Sequence, residues 1–90
     1  MGIRVNIPYF YRHLTDNQES VAVNGETLEV CLGDLMEQYP PLKKRMFDTD
    51  DQLLNYFDIY VNKESSYLEG MSKPVKDGDE IHILLVMDGG

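Results

Sequence analysis

The residue types best suited to chemistry stand at the end of the sequence, where Gly89 and Gly90 precede the terminal carboxylate. Glycine lacks a Cβ, so both residues can pass through a narrow channel, adopt the backbone angles it demands and leave the carboxyl carbon unhindered. A carboxylate is a poor electrophile and must be activated before acyl transfer. Attack of its oxygen on the α-phosphate of ATP would give an acyl-adenylate. No group in this chain could carry out that activation alone, so the chemistry requires a second protein.

The segment before the two glycines predicts how they are presented. Residues 80–86 form an apolar run after the turn residues Asp77, Gly78 and Asp79, which is typical of a strand. Both faces of this strand are apolar, so we expect a central strand whose outer face also meets another surface. Because a strand rises about 3.3 Å per residue, residues 87–90 could project roughly 13 Å beyond the body. We therefore predict a folded domain over residues 1–86 and a flexible tail over residues 87–90 that can enter another protein's active site.

Length and composition indicate one globular domain. The chain has 90 residues, of which 42% are apolar and 27% charged, and this balance is globular rather than disordered. Its single cysteine, Cys31, excludes an intramolecular disulfide, a four-cysteine zinc site and a cysteine-ligated iron–sulfur cluster. Cys31 falls on the apolar stripe of a predicted helix, so we expect a buried thiol rather than a reactive one.

The charge balance bears on partners and location. Sixteen acidic and eight basic residues give a net charge of −8, which repels nucleic acid. No basic N-terminal region followed by an apolar core appears, and no apolar run approaches the ~20 residues of a membrane span. We therefore predict a cytoplasmic protein that binds neither nucleic acid nor membrane. The acidity serves solubility or steers the chain toward a basic partner surface.

Alternating apolar residues predict two strands in the first quarter of the chain. Ile3, Val5 and Ile7 have the period of a half-buried strand. A hairpin loop is expected over residues 9–17, followed by a second strand over residues 18–23 that ends at an Asn-Gly turn. Val21 and Val23 should face inward in that second strand.

Helical periodicity follows the Asn-Gly turn. Thr27 is well placed as an N-cap, and the residues after it form one apolar stripe about three turns long. The stripe consists of Leu28, Cys31, Leu32, Leu35, Met36 and Tyr39. The pair Pro40-Pro41 stops this helix, and Pro41 can open a second short helix over residues 42–47.

A third strand is predicted over residues 56–62, with Phe57, Ile59 and Val61 on one face. Residues 62–70 read as a polar turn segment, which Leu68 and Met71 are expected to pin to the core. Two strands, a helix and two further strands predict an α+β fold in which a mixed sheet packs on one helix.

These features together resemble the ubiquitin-like β-grasp sulfur carriers of the MoaD/ThiS family over essentially the whole chain. The most specific pieces are the strand end Val61-Asn62, the Asp77-Gly78-Asp79 turn, and the terminal diglycine at the family's distance from that turn. Among the branches, the pattern is most like the carrier of cysteine biosynthesis, with the small subunit of molybdopterin synthase close behind. The residues that carry this preference are Ile7-Pro8, Arg12, Thr15, Tyr39-Pro40 and Ile59-Tyr60-Val61-Asn62.

The resemblance implies a β-grasp fold with a mixed sheet of four to five strands on one main helix and a short second helix. It implies a carrier rather than an enzyme, with no bound cofactor. An E1-like adenylyltransferase would activate Gly90 with ATP and Mg²⁺. A sulfur donor (a desulfurase, a rhodanese or sulfide) would then convert the adenylate to a thiocarboxylate. The thiocarboxylate would deliver sulfur to an acceptor synthase in cysteine, molybdopterin or thiamin-type biosynthesis.

The resemblance also assigns residues. Gly90 would bear the reactive group, with Gly89 as the slender neighbour that lets it thread. The family's partner surface is an apolar sheet face beside the tail, which corresponds here to His82, Leu84 and Val86, joined by Tyr60 and Arg12. Two positions depart from the family's pattern, because Leu85 replaces a common proline and Asp88 a small residue. We expect Leu85 to lengthen the strand, and the partner to offer Asp88 a compensating arginine or lysine.

Three readings of the tail remain open on the sequence alone. The first is the sulfur carrier. The second is a ubiquitin-like modifier that uses the same activated Gly90 to form isopeptide bonds with lysines of other proteins. The third is a β-grasp interaction module whose diglycine has no chemical role. A stand-alone enzyme is disfavoured, because His13, His82 and scattered carboxylates supply no convincing catalytic constellation.

Overall fold

The alternating apolar segments form one mixed sheet, and the segments with helical periodicity pack on one of its faces. The computed structural model describes residues 2–86. Its strands are β1 (Ile3–Asn6), β2 (Ser20–Val23), β3 (Phe57–Val61), β4 (Glu64–Ser65) and β5 (Glu80–Leu85). Its α-helices are α1 (Leu28–Gln38) and α2 (Pro41–Met46), and short 3-10 helices cover Tyr9–Leu14 and Gly70–Ser72.

Strand β5 lies in the middle of the sheet, whose order is β2-β1-β5-β3-β4. It runs parallel to β1 and antiparallel to β3, whereas β1 with β2 and β3 with β4 are antiparallel pairs. The predicted α+β architecture is confirmed, with five strands. Because β1 and β5 are parallel, the residues that follow β1 lie at the same end of the sheet as Val86, which follows β5.

The core lies between α1 and the inner face of the sheet. Thr27 caps α1 as predicted, since its hydroxyl accepts a hydrogen bond from the Val30 amide at 3.3 Å. The second helix begins at Pro41, which supplies the fixed φ that a first helical residue needs. The buried apolar side chains are Ile3, Val5, Ile7, Val21, Val23, Leu28, Cys31, Leu32, Leu35, Leu42, Met46, Phe57, Ile59, Val61, Val75, Ile81 and Ile83.

The connection between β1 and β2 differs from the prediction. Residues Tyr9–Leu14 form a 3-10 helix rather than a hairpin loop, with the Tyr11 amide donating to the Pro8 carbonyl at 2.9 Å. A 3-10 helix of this length rests on local i to i+3 bonds and shows no long apolar period in the sequence. The turn follows at Asp16 and Asn17, both with positive φ.

Residues 62–70 differ from the predicted polar turn segment in two respects, the first being that they contain strand β4, which pairs with β3. Leu68, expected to pin this segment to the core, is 91% exposed, whereas Met71 does pack against the core. The predicted tail, residues 87–90, lies outside the described residues. None of the helices within residues 2–86 is long and apolar enough to span a membrane.

Candidate functional site

The start of β5 is fixed by a network of polar contacts. Gly78 has a φ of +92°, a conformation that glycine adopts at little cost. The next residue, Asp79, is buried and accepts hydrogen bonds from the Lys76 amide and from the Asn62 side chain, both at 3.0 Å. The Asn62 side-chain oxygen in turn accepts from the Glu80 amide at 3.0 Å. Hydrogen bonding from Asn62 is the main cause that lowers the pKa of Asp79.

These contacts join two sequence features that stand far apart. Asn62 ends β3 with a φ of +57°, and its backbone amide donates to the Glu80 carbonyl at 2.7 Å. The strand end and the Asp-Gly-Asp turn therefore act as one clamp, which we call the Asn62–Asp79 clamp. It sets the register in which β5 pairs with β3.

Pairing continues to the last described residue. Phe57 lies opposite Leu85, and the Val86 amide donates to the Tyr56 carbonyl at 2.7 Å. As expected, Leu85 continues strand β5, and it is 37% exposed. The ladder thus positions the backbone through Val86, and residues 87–90 follow directly.

The outer face of the sheet carries a short apolar and aromatic surface beside this end. Cross-strand pairing places His82 opposite Tyr60, and Leu84 opposite Asp58. Leu84 and Val86 are 45% and 47% exposed, so roughly half of each side chain is open to a partner. His82 is held on its other side, since the Asn6 side-chain nitrogen lies 3.0 Å from its Nδ1.

Aromatic rings surround the same end of the sheet. The Phe10 and Tyr11 rings lie 4.7 Å apart in an edge-to-face arrangement, and Tyr11 lies 6.1 Å from Phe57. Tyr56 completes the series at 5.0 Å from Phe57. Burial raises the pKa of Tyr11, and the nearby Tyr56 raises it further. We call the exposed members of this series, Phe10 and Tyr56, together with Leu84, Leu85 and Val86, the exit rim.

Arg12 lies near the exit rim but is partly engaged within the domain. Its Nε donates to the Ile7 carbonyl at 3.1 Å, and its guanidinium lies 6.0 Å from the centre of the Tyr9 ring. These contacts hold the side chain against the end of β1. Since β1 and β5 are parallel, Arg12 belongs to the same end of the sheet as Val86.

The structure brings several predicted site residues together. Pairing and alternation place His82, Leu84 and Tyr60 on one face, with Val86 at its edge and Arg12 at the same end. The remaining predicted residues, Asp88, Gly89 and Gly90, lie outside the described residues.

Sequence reasoning missed Phe10 and Tyr56 as members of the rim. Both are large exposed hydrophobic residues. Parallel pairing of the first and last strands would have revealed Phe10, because it places the aromatic run after β1 beside the end of β5. Tyr56 stands just before β3, whose antiparallel pairing with β5 brings it to the same end.

The remaining chemical groups do not form a second reactive centre within residues 2–86. Cys31 is fully buried, as predicted, and burial raises the pKa of its thiol, which disfavours the reactive thiolate. The same part of the chain contains no cluster of three or more histidine, cysteine, aspartate or glutamate residues arranged to hold a metal ion.

Comparison with known proteins shows which family this chain belongs to. The sequence matches the ThiS family over residues 5–90. This chain belongs to the ThiS family. It is 33% identical to the sulfur carrier protein CysO of Mycobacterium tuberculosis over an alignment of 93 positions that covers all of both chains.

Solved structures agree with this assignment. The chain resembles the structure titled as the BexX/CysO complex of Amycolatopsis orientalis with a TM-score of 0.86 and 30% identity, covering 99% of this chain and all of that one. It resembles small archaeal modifier protein 1 of Methanosarcina acetivorans with a TM-score of 0.84 and 28% identity, covering 98% and 95% of the two chains. The predicted relation to the ubiquitin-like β-grasp sulfur carriers is confirmed, and this ThiS-family chain is a homologue of CysO.

Proposed function

We propose that this ThiS-family chain carries sulfur as a thiocarboxylate on Gly90. One structural observation supports the proposal above others. The ladder of β5 holds the backbone in register as far as Val86, whose amide donates to the Tyr56 carbonyl, and the exit rim lies at the same end of the sheet. Four residues follow, which span at most about 14 Å when extended. A partner that docks on the rim would therefore meet the terminal carboxylate at a defined distance.

The proposed chemistry has two steps: the E1-like partner activates Gly90, and the sulfur donor, written here as hydrosulfide, then converts the adenylate. An oxygen of the Gly90 carboxylate attacks the α-phosphorus of ATP, the bond to the β-phosphate breaks, and pyrophosphate leaves with Mg²⁺. Hydrosulfide then attacks the carbonyl carbon, AMP leaves with the original oxygen, and a proton is released. The product is the thiocarboxylate. The chain supplies the acyl group and binds no cofactor of its own.

The residues at this end divide into three roles. Gly90 carries the reacting carbon, and Gly89 permits passage through a narrow channel because it has no Cβ. Asp88 would pair with a basic group of the partner as the tail enters. His82, Leu84, Val86 and Tyr60 provide the docking face, with Arg12 at its margin.

The homology to CysO makes cysteine biosynthesis the first pathway to test, ahead of molybdopterin and thiamin-type routes. We infer three kinds of partner: an E1-like adenylyltransferase, a sulfur donor such as a desulfurase, a rhodanese or sulfide, and an acceptor synthase. The relative described in complex with BexX supports the idea that such carriers dock on other proteins. All of these reactions belong in the cytoplasm.

An exchange assay tests the activation step. The chain is incubated with an E1-like enzyme of its own host, ATP, Mg²⁺ and labelled pyrophosphate, and label entering ATP is measured. Exchange of the label should require Gly90 and fall sharply for Gly89→Val. It should persist for Gly33→Ala, because Gly33 lies in α1, on the other side of the sheet from the proposed docking face. Equal exchange by wild type and by the chain lacking Gly90 would contradict the proposal.

A second function, protein modification, is favoured by the 28% identity to small archaeal modifier protein 1. In that case a lysine amine of a target protein would displace AMP from the Gly90 adenylate and form an isopeptide bond. Denaturing gels of host extract containing the tagged chain distinguish the two. Slower-migrating adducts that depend on Gly90 and resist thiols would favour modification.

A further inference from the structure

A groove on the helical side of the domain is not used by the proposed chemistry. It lies between α1 and the segment that follows α2, and it encloses about 520 Å³. Partly buried apolar side chains form its floor, namely Met36, Phe47, Leu53 and Met71. The sheet separates this groove from the outer sheet face that carries Tyr60 and His82.

The wall formed by α1 has an unusual sequence. Glu29, Gly33 and Glu37 line the groove at spacings of four residues, so they lie one above another on the same side of the helix. A methyl group added at Gly33 would meet nothing within 4 Å, and its φ is not in the positive range. The fold of the described residues therefore does not require glycine there, and glycine weakens a helix relative to alanine.

Charge defines what the groove can accept. Its rim carries the carboxylates of Glu29, Glu37 and Asp51 against the single ammonium of Lys43, which lies 3.1 Å from Asp51. The two glutamates stand about 12 Å apart along the helix axis, since eight residues rise 1.5 Å each. The position between them is open because Gly33 has no side chain.

We propose that this groove binds a basic amphipathic helix of a partner protein. An apolar side chain of that helix would enter the notch over Gly33, where Met36 and Met71 can adapt to its shape. Lysine or arginine residues one to two turns away would meet Glu29 and Glu37. A second copy of this chain fits poorly, because each copy carries a net charge of −8. A partner seated here lies on the other side of the sheet from Tyr60 and His82.

A designed peptide provides the probe. It is an acetylated lysine–leucine helix of about 15 residues, with leucines at i, i+3, i+4 and i+7. A control peptide carries glutamate in place of every lysine. Binding is measured by fluorescence anisotropy at physiological salt, and sedimentation checks that the protein stays monomeric.

Three protein variants make the test specific. Gly33→Leu fills the notch and should weaken peptide binding roughly tenfold or more, while Gly33→Ala serves as the matched control with little loss. Glu37→Gln should weaken binding by a smaller factor of about three. Both Gly33 variants should fold, because they replace glycine inside an exposed stretch of helix.

Methionine methyl NMR shows where the peptide binds. Of the five methionines, Met36 and Met71 line the groove, whereas Met46 is fully buried and serves as an internal control. The peptide should shift the Met36 and Met71 signals and leave Met46 unchanged. Four results would each overturn the proposal. Two concern the peptide: equal binding by wild type and Gly33→Leu, or tight binding of the glutamate peptide. The other two are unshifted Met36 and Met71 signals and dimers that Gly33→Leu abolishes.

Discussion

At its first residue β5 is held by polar contacts, whereas at its last described residues it is surrounded by exposed apolar and aromatic side chains. The Asn62–Asp79 clamp satisfies donors and acceptors within the domain. The exit rim leaves roughly half of Leu84 and Val86 open. The polar contacts at the start of β5 therefore fix its position, and the exposed side chains at its end leave a surface that a partner can bind. Mutations at the clamp should change stability, and mutations at the rim should change binding.

The largest expected effect is at the clamp. Asn62→Ala removes two side-chain hydrogen bonds. It also places alanine, which rarely adopts a positive φ, at a φ of +57°. We expect the free energy of unfolding to fall by about 2–3 kcal/mol, measured by urea denaturation. Asn62→Gly is the control, because it loses the same bonds without the backbone strain and should recover about 1 kcal/mol. Equal stability of wild type and Asn62→Ala would show that the clamp does not hold β5.

The rim should show the opposite behaviour. Leu84→Ser removes an exposed apolar side chain, so stability should change little, but affinity for the proposed E1-like partner should fall by about 2 kcal/mol, roughly thirtyfold. Leu68→Ser is the matched control, because Leu68 is even more exposed and stands away from β5. Titration calorimetry measures the affinity of each variant for the partner. A similar loss for the two variants would mean that the rim is not the specific docking face.

Acid should act on the clamp and not on the rim. The folded pKa of Asp79 lies below its ordinary value because Asn62 and the Lys76 amide stabilise the carboxylate. Its contribution to stability is therefore complete above the unfolded pKa, near 4, and is lost as the pH falls through the folded pKa. The free energies of unfolding of wild type and Asp79→Asn, measured from neutral pH to pH 2, should converge toward the acid end. Parallel curves over that range would contradict this account.

The smallest effect is expected at the margin of the rim. Arg12 is engaged by the Ile7 carbonyl and lies near the Tyr9 ring, so Arg12→Ala should lower partner affinity only about two- to fivefold. Arg12→Lys keeps the charge but not the planar fork, and comparison of the two separates charge from geometry. A loss as large as that of Leu84→Ser would place Arg12 at the centre of the interface.

Much of the fold was predictable because its elements have regular periods. The stripe from Leu28 to Tyr39, the cap at Thr27 and the alternation of Ile81 and Ile83 each follow from a single local rule, and the structure confirms them. The 3-10 helix of Tyr9–Leu14 has no such period. The exposure of Leu68 depends on the path of a short loop after β4, which no local pattern fixes.

The candidate site was predictable in part for the same reason. Alternation along β5 places His82, Leu84 and Val86 together without knowledge of the topology. The contribution of Phe10 and Tyr56 depends on which strands are neighbours, and that follows only from the sheet order. The roles of Asp88, Gly89 and Gly90 remain predictions.

The most direct test of the carrier proposal is the intact mass of the protein. The chain is purified from its native host, and a second sample is incubated with the E1-like enzyme of that host, ATP, Mg²⁺ and sulfide. We predict a mass increase equal to the exchange of one oxygen for one sulfur, localised to Gly90 and absent when Gly90 is deleted. An unchanged mass with an E1-like enzyme that is active in the pyrophosphate exchange assay would contradict the sulfur carrier account.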